Sequence, residues 1–214
     1  MKDYTRIYLV RHGHLINSDK GVFNGHSDIG LSLKGVAQTI TVSQWFKDKP
    51  IRAIYSSDLR RSQEGAKTIA SSLGLEVIST EAFRERNFGR FEGLTPDEIQ
   101  RDYGPIWERW IADPIDTTPP DGESFFEMEK RIMEGLEAML DKHRNEEIMI
   151  YSHGGVNRII LCHALNLNIE NWFRLQQDFC GISIVDFYNS TALVRLMNWS
   201  PQNYMFSRYT SPAS

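Results

Sequence analysis

The sequence predicts an α/β fold carried by a single domain over residues 1–214, and three observations predict it. Runs rich in β-branched and aromatic residues at 6–10, 51–55 and 148–151 read as buried strands. Each is followed by a stretch with apolar residues at helical spacing. Two of the three strands run into a histidine and a glycine, His12-Gly13 and His153-Gly154. A glycine there lets the chain turn sharply over the strand's carboxyl end, which is where open α/β sheets bind ligands.

Composition narrows the function. A chain of 214 residues with 41% apolar and 24% charged residues is ordinary for a globular protein and long enough to bury a full core. No apolar run reaches the roughly 18 to 20 residues that span a bilayer. Met1-Lys2-Asp3 leads straight into the first strand, so no membrane association and a cytoplasmic location are expected. Cys162 and Cys180 are too few for a disulfide framework and are not at metal-ligand spacing, which makes them buried thiols. A net charge of -4 argues against nucleic-acid partners. An anionic ligand must then be drawn by a local cationic cluster. The sequence leaves a homo-oligomer open.

Taken in order, the strand at 6–10 delivers Arg11-His12-Gly13-His14. Residues 17–30, rich in Gly, Asn, Asp and Ser, read as a loop too long for a mere connector. Leu33, Val36, Ala37 and Ile40 then mark the apolar face of a helix reaching about Lys47. The strand at 51–55 leads to Ser57 or Asp58 as helix cap, placing Arg61 in the first turn of a helix that Gly74 stops. A short strand at 76–78 precedes an irregular segment, 83–93, that mixes charges with aromatics. Thr95-Pro96 with Glu98 starts a short helix ending at Gly104-Pro105, and Trp107, Trp110 and Ile111 suggest one further turn. After a proline-rich loop, Ser124 with Glu127 caps the longest amphipathic helix, Phe125 to Leu140. The strand at 148–151 ends in Ser152-His153-Gly154-Gly155 and a helix follows. Two late strands, 182–188 and 192–199, meet at Asn189-Ser190, and the tail 200–214 reads as irregular.

Three strand ends thus present Arg11 with His12, Arg61, and His153, while the irregular segment presents Glu85. If the strands are neighbours, these groups converge on one crevice. Two guanidinium forks and one histidine would hold the oxygens of a phosphate, and the other histidine could attack phosphorus. Glu85 could protonate the leaving alcohol, or could simply pair with Arg84 or Arg86 or sit exposed on its loop.

In this order Arg11-His12-Gly13, Asn17, Ser57-Asp58-Leu59 with Arg61, Arg84-Glu85-Arg86 with Phe88-Gly89 and Glu92-Gly93, Asp121-Gly122-Glu123-Ser124 and Ser152-His153-Gly154-Gly155 resemble the histidine phosphatase superfamily, which includes cofactor-dependent phosphoglycerate mutases. The resemblance runs from Ile7 to about Asn198. It implies a three-layer α/β/α sandwich with a mostly parallel sheet. It also implies His12 as the nucleophile that becomes phosphorylated, Arg11, Arg61 and His153 as the rest of the phosphate pocket, and Glu85 as proton donor. Asn17 and the backbone N–H of Gly154 would touch the same phosphate. No metal and no dissociable coenzyme is implied.

Two positions depart from the family pattern. His14 stands where a glutamate is common, and the loop around Val22-Phe23-Asn24-Gly25 lacks an expected arginine, leaving Lys20 as the nearby cation. His14 and His26 therefore fall outside the expected catalytic set, and His143 and His163 read as plain surface and core residues. The short span from Glu85 to Ser124 and the segments 113–124 and 177–183 resemble the small phosphatase branch, which includes α-ribazole phosphatase and broad-specificity phosphomonoesterases. The expected partner is a small-molecule phosphate ester. A phosphoglycerate mutase is the second expectation, and a phospho-ligand-binding module without turnover the third.

Overall fold

Ile7, Tyr8, Leu9 and Val10 are all buried because the strand they form, β1 (Thr5–Arg11), lies inside a sheet with helices on both faces. The computed structural model describes residues 3–201, so the expected irregular tail lies outside the described residues from 202 onward. The chain continues through α1 (Leu33–Phe46), β2 (Ile51–Ser57), α2 (Arg60–Leu73), β3 (Val77–Thr80), α3 (Pro96–Ala112), α4 (Phe125–Lys142), β4 (Glu147–Ser152), α5 (Gly154–Ala164), β5 (Ile182–Phe187) and β6 (Ala192–Trp199).

Among the described residues the strands form one sheet in the order β3-β2-β4-β1-β5-β6. The pairs β1/β4, β2/β4 and β2/β3 are parallel; β5 runs antiparallel to both its neighbours. Side chains alternate across the pleat. Ile7, Leu9, Ile148 and Ile150 therefore meet α4 and α5 on one face, and Tyr8, Val10, Met149 and Tyr151 meet α1 and α2 on the other. This is the expected three-layer sandwich with a mostly parallel sheet. A smaller cluster of Phe91, Ile99 and Trp107, packed with Phe23, Phe88 and Trp110, joins α3 to the loops above the sheet.

Three local expectations are corrected. The face of α1 marked by Leu33, Val36 and Ile40 points to solvent, Leu33 being 92% exposed, and the inner face is Gly35, Thr39, Val42, Ser43 and Phe46. Neither Ser57 nor Asp58 caps α2: Leu59 holds the cap position without a side-chain bond, and Asp28 Oδ1, from a distant loop, accepts the N–H of Arg60 at 2.8 Å. The expected break at Gly104-Pro105 is a kink at Tyr103 inside one longer helix. The capping boxes of Thr95 with Glu98 and of Ser124 with Glu127 both form.

The sheet order sets the site. Arg11 at the end of β1 is in register with Ser152 at the end of β4, and Tyr151 of β4 with Ser56 of β2. The residues that follow these ends, His12, His153 and the start of α2, must therefore lie side by side.

Candidate active site

His12 is 4% exposed and leaves β1 with its Nδ1 2.8 Å from the carbonyl oxygen of Gly13. A carbonyl can only accept, so Nδ1 carries the proton and Nε2 keeps its lone pair. Burial first, then the charges of Arg61 and Arg11, lower the His12 pKa well below its ordinary value. The ring is thus neutral at pH 7, with one nitrogen free to attack. The turn that carries it is tight: a Cβ on Gly13 would lie 2.6 Å from the carbonyl oxygen of Gly35, so α1 approaches this loop backbone to backbone.

The His153 ring stands edge-on to His12, with centroids 5.2 Å apart. Its Nδ1 faces Arg61 Nε at 3.3 Å and its Nε2 faces Ser57 Oγ at 2.7 Å. Because a guanidinium only donates, Nδ1 accepts and the proton sits on Nε2. Burial, Arg61 and His12 keep this ring neutral as well. Arg61 is completely buried, which lowers its pKa to about 10, still protonated at neutral pH. It donates to the carbonyls of Ser27 at 2.8 Å and Gly25 at 2.5 Å. Those carbonyls are held in place by Glu92, which accepts the N–H groups of Gly25, His26 and Ser27 and the hydroxyl of Ser27.

Glu85 is half-buried and does not pair with either neighbouring arginine, which corrects those alternatives. Arg84 forks onto Asp58, and the buried Arg86 donates to the carbonyls of Pro114, Thr117 and Glu123. The Glu85 carboxylate instead accepts the N–H of Arg86 at Oε1 and that of Gly155, in the first turn of α5, at Oε2, both at 3.0 Å. A Cβ on Gly155 would lie 2.2 Å from Oε1, so a side chain there would push the carboxylate out of this place. Below it, Arg131 ties the carbonyls of Ala82, Arg84 and Glu85 to the Glu123 carboxylate.

Arg11, His12 and Glu85 open together onto a cavity of about 400 Å³. The Arg11 guanidinium lies 4.2 Å over the Phe179 ring and donates to the Gln177 carbonyl, while its Nε is buried with no partner. Arg61 and His153 sit immediately behind His12 rather than on the cavity wall. The Asn17 amide is paired with that of Asn24, and it is Asn24 that lines the cavity. Gly154 opens α5, and a Cβ there would be 3.5 Å from Arg11 Nε. His14 bonds Ser32 and Asp19, and His26 bonds the Glu85 carbonyl. His143 is buried against Tyr55, whereas His163 is exposed and meets Glu129. Among the described residues no group of three His, Cys, Asp or Glu could hold a metal ion, and no helix is long and apolar enough to cross a membrane.

Residue patterns did not reveal Phe179, Arg131, or the roles of Ser57 and Glu92. Arg131 carries no signal, being one charge on an amphipathic helix. Ser57 gave a signal, a polar residue closing a buried strand, that also fits a helix cap.

The sequence model of the histidine phosphatase superfamily, branch 1, matches residues 7–200. A Hydrogenobacter thermophilus protein named "Putative phosphoserine phosphatase 2" is 30% identical over 193 residues, covering 90% of this chain and 95% of that one. A Yersinia pestis protein named "Probable phosphoglycerate mutase GpmB" is 31% identical, with 86% of each chain covered. The crystal structure of the α-ribazole phosphatase from Shigella flexneri superposes with a TM-score of 0.84 at 21% identity, over 91% of this chain and 96% of that one, a likeness of fold.

Proposed function

The chain belongs to the histidine phosphatase superfamily, branch 1, and on that premise we propose that it hydrolyses a small-molecule phosphate monoester through phosphate carried on His12. The observation that carries the reading is the Nδ1 bond of His12 to its own Gly13 carbonyl, which leaves Nε2 as a neutral nucleophile beside the unpartnered Nε of Arg11. In the first displacement Nε2 bonds to phosphorus as the ester P–O bond breaks, and Glu85, as the general acid, gives a proton to the departing alkoxide. In the second, the Glu85 carboxylate takes a proton from water, the hydroxide oxygen bonds to phosphorus, and the P–N bond returns its electron pair to Nε2. Arg11 offsets charge on the phosphoryl oxygens from the cavity wall, and Arg61, whose donors are held by His153 and the Ser27 and Gly25 carbonyls, does so from behind His12.

His153 can serve the phosphate only after a change of partner. Its Nδ1 is an acceptor here, so donating to an oxyanion requires a second proton on the ring, which an arriving phosphate dianion favours. Asn17 acts at one remove, by holding Asn24, and the Gly154 N–H is the remaining candidate donor. No step calls for a metal or a coenzyme.

The mutase reading has one finding in its favour, the name of the Yersinia relative. A mutase must hold its phosphoenzyme against water while an acidic acceptor binds, which calls for further anion-binding groups and water exclusion. Arg11 is the sole cation among the described residues lining this cavity. The assay supplies 3-phosphoglycerate with a trace of 2,3-bisphosphoglycerate and follows 2-phosphoglycerate and free phosphate. Phosphate release is expected to exceed isomerisation. Isomerisation outrunning release by orders of magnitude would move the assignment to mutase.

A further inference from the structure

We infer that the ester cleaved at this site has an apolar leaving group, a ring-bearing alcohol without carboxylate or second phosphate. The inference rests on the hydrolytic reading above and adds the substrate class to it.

Away from Arg11, His12 and Glu85, the cavity wall is largely hydrocarbon: Leu15, Val22, Phe23, Phe88 and Phe179. Phe23 and Phe88 are half-buried and fixed from behind, with Phe23 edge-on to Phe88 at 5.1 Å, Trp110 at 5.4 Å and Trp107 at 5.7 Å. Such a wall is formed before the ligand arrives, and an aromatic ring can stack on it without reorganising it. Of the two polar residues on the wall, Asn24 is engaged elsewhere and Ser18 keeps its hydroxyl proton to offer. Asn24 pairs with Asn17 and the Val22 carbonyl, and Ser18 Oγ accepts the N–H of Leu15.

Beyond Arg11, which faces the phosphate, an anionic leaving group meets no cation on the described wall; Lys20, in the same loop, is exposed and does not line it. Arg60 is held by Glu64, Arg84 by Asp58, Arg90 by Asp121, and Arg86 is buried against three carbonyls; none of them lines the cavity. The other acid–base side chain on the wall, Glu85, offers a carboxylate or a phosphate no positive partner. Desolvating an unpaired carboxylate on an apolar wall weakens binding, whereas burying a ring there strengthens it. The site therefore disfavours phosphoserine and phosphoglycerate relative to an apolar ester, in contrast to the names borne by the Hydrogenobacter and Yersinia relatives.

The test measures kcat/KM for phenethyl phosphate, O-phospho-L-serine and 3-phosphoglycerate with the purified chain. All three are alkyl esters, so leaving-group basicity does not decide the order. The phenethyl ester is expected to lead by about tenfold to a hundredfold, the scale of burying one aromatic ring. In Val22→Arg, which adds a cation at a half-buried position on the wall, the carboxylated esters should gain at least severalfold relative to phenethyl phosphate. Equal or faster turnover of phosphoserine or 3-phosphoglycerate by the unmodified chain overturns the inference and leaves the hydrolytic reading standing. No phosphate release from any ester overturns both.

Discussion

At the scale of single residues, the account depends on which atom holds which proton. The proposed acid is Glu85, whose two backbone partners set where its oxygens point. Glu85→Gln keeps the volume and one of the two acceptor oxygens but has no acidic proton to give. Hydrolysis of an alkyl phosphate should fall about a hundredfold to ten-thousandfold, while an activated aryl phosphate, which needs little protonation, should lose less than about tenfold. Equal losses on the two esters would reduce Glu85 to a structural role. His12 and His153 supply a second residue-scale prediction, because both are buried and neutral when folded. In the unfolded chain each takes a proton near pH 6.5, so below that pH the unfolded state binds protons that the folded state refuses. Folding stability must therefore fall as pH drops below about 6.5, by up to ~1.4 kcal/mol per pH unit for each ring. Urea unfolding at several pH values should show this loss, and His12→Asn should flatten it. An unchanged slope in His12→Asn would mean that the ring is already protonated in the fold.

At the scale of elements, α5 places Glu85 through the N–H of Gly155, and α1 supports the His12 turn through Gly35. Gly155→Ala improves helix propensity but drives a methyl group into the Glu85 carboxylate, 2.2 Å away. The variant should fold, and should lose roughly tenfold to a hundredfold in kcat on alkyl esters while sparing aryl esters, the signature of a displaced acid. A uniform loss on both would point to damage at His12 instead. A second close approach, of Gly35 to His14, decides which face of α1 is buried. Hydrophobic spacing marks Leu33, Val36 and Ile40, yet the inner face must let Gly35 meet the backbone of His14, where a Cβ would be 2.1 Å from the carbonyl oxygen. Thr39 on that face bonds Tyr151 OH at 3.1 Å. Packing against a functional turn thus selects small and polar residues, and hydropathy alone points the other way.

At the scale of the whole molecule, strands and most helices were legible because a mostly parallel sheet with helices on both faces needs continuous apolar runs, which local composition displays. The convergence of Arg11, His12, Arg61 and His153 was legible for a related reason, since all follow neighbouring strand ends. Glu85 was legible only through the family resemblance, because its place depends on long-range contacts: Arg131 from α4, Gly155 from α5 and the Arg86 anchor to loop carbonyls. Phe179 was hidden likewise, reaching Arg11 and His12 from the segment before β5. All these contacts serve one central claim, that phosphate passes through His12. The most direct measurement is rapid quenching during turnover of a radiolabelled ester at alkaline pH, followed by mapping of the labelled peptide. The account predicts an acid-labile, alkali-stable phosphate on His12 that disappears in His12→Ala together with phosphate release. Label on His153, or undiminished turnover by His12→Ala, would contradict it.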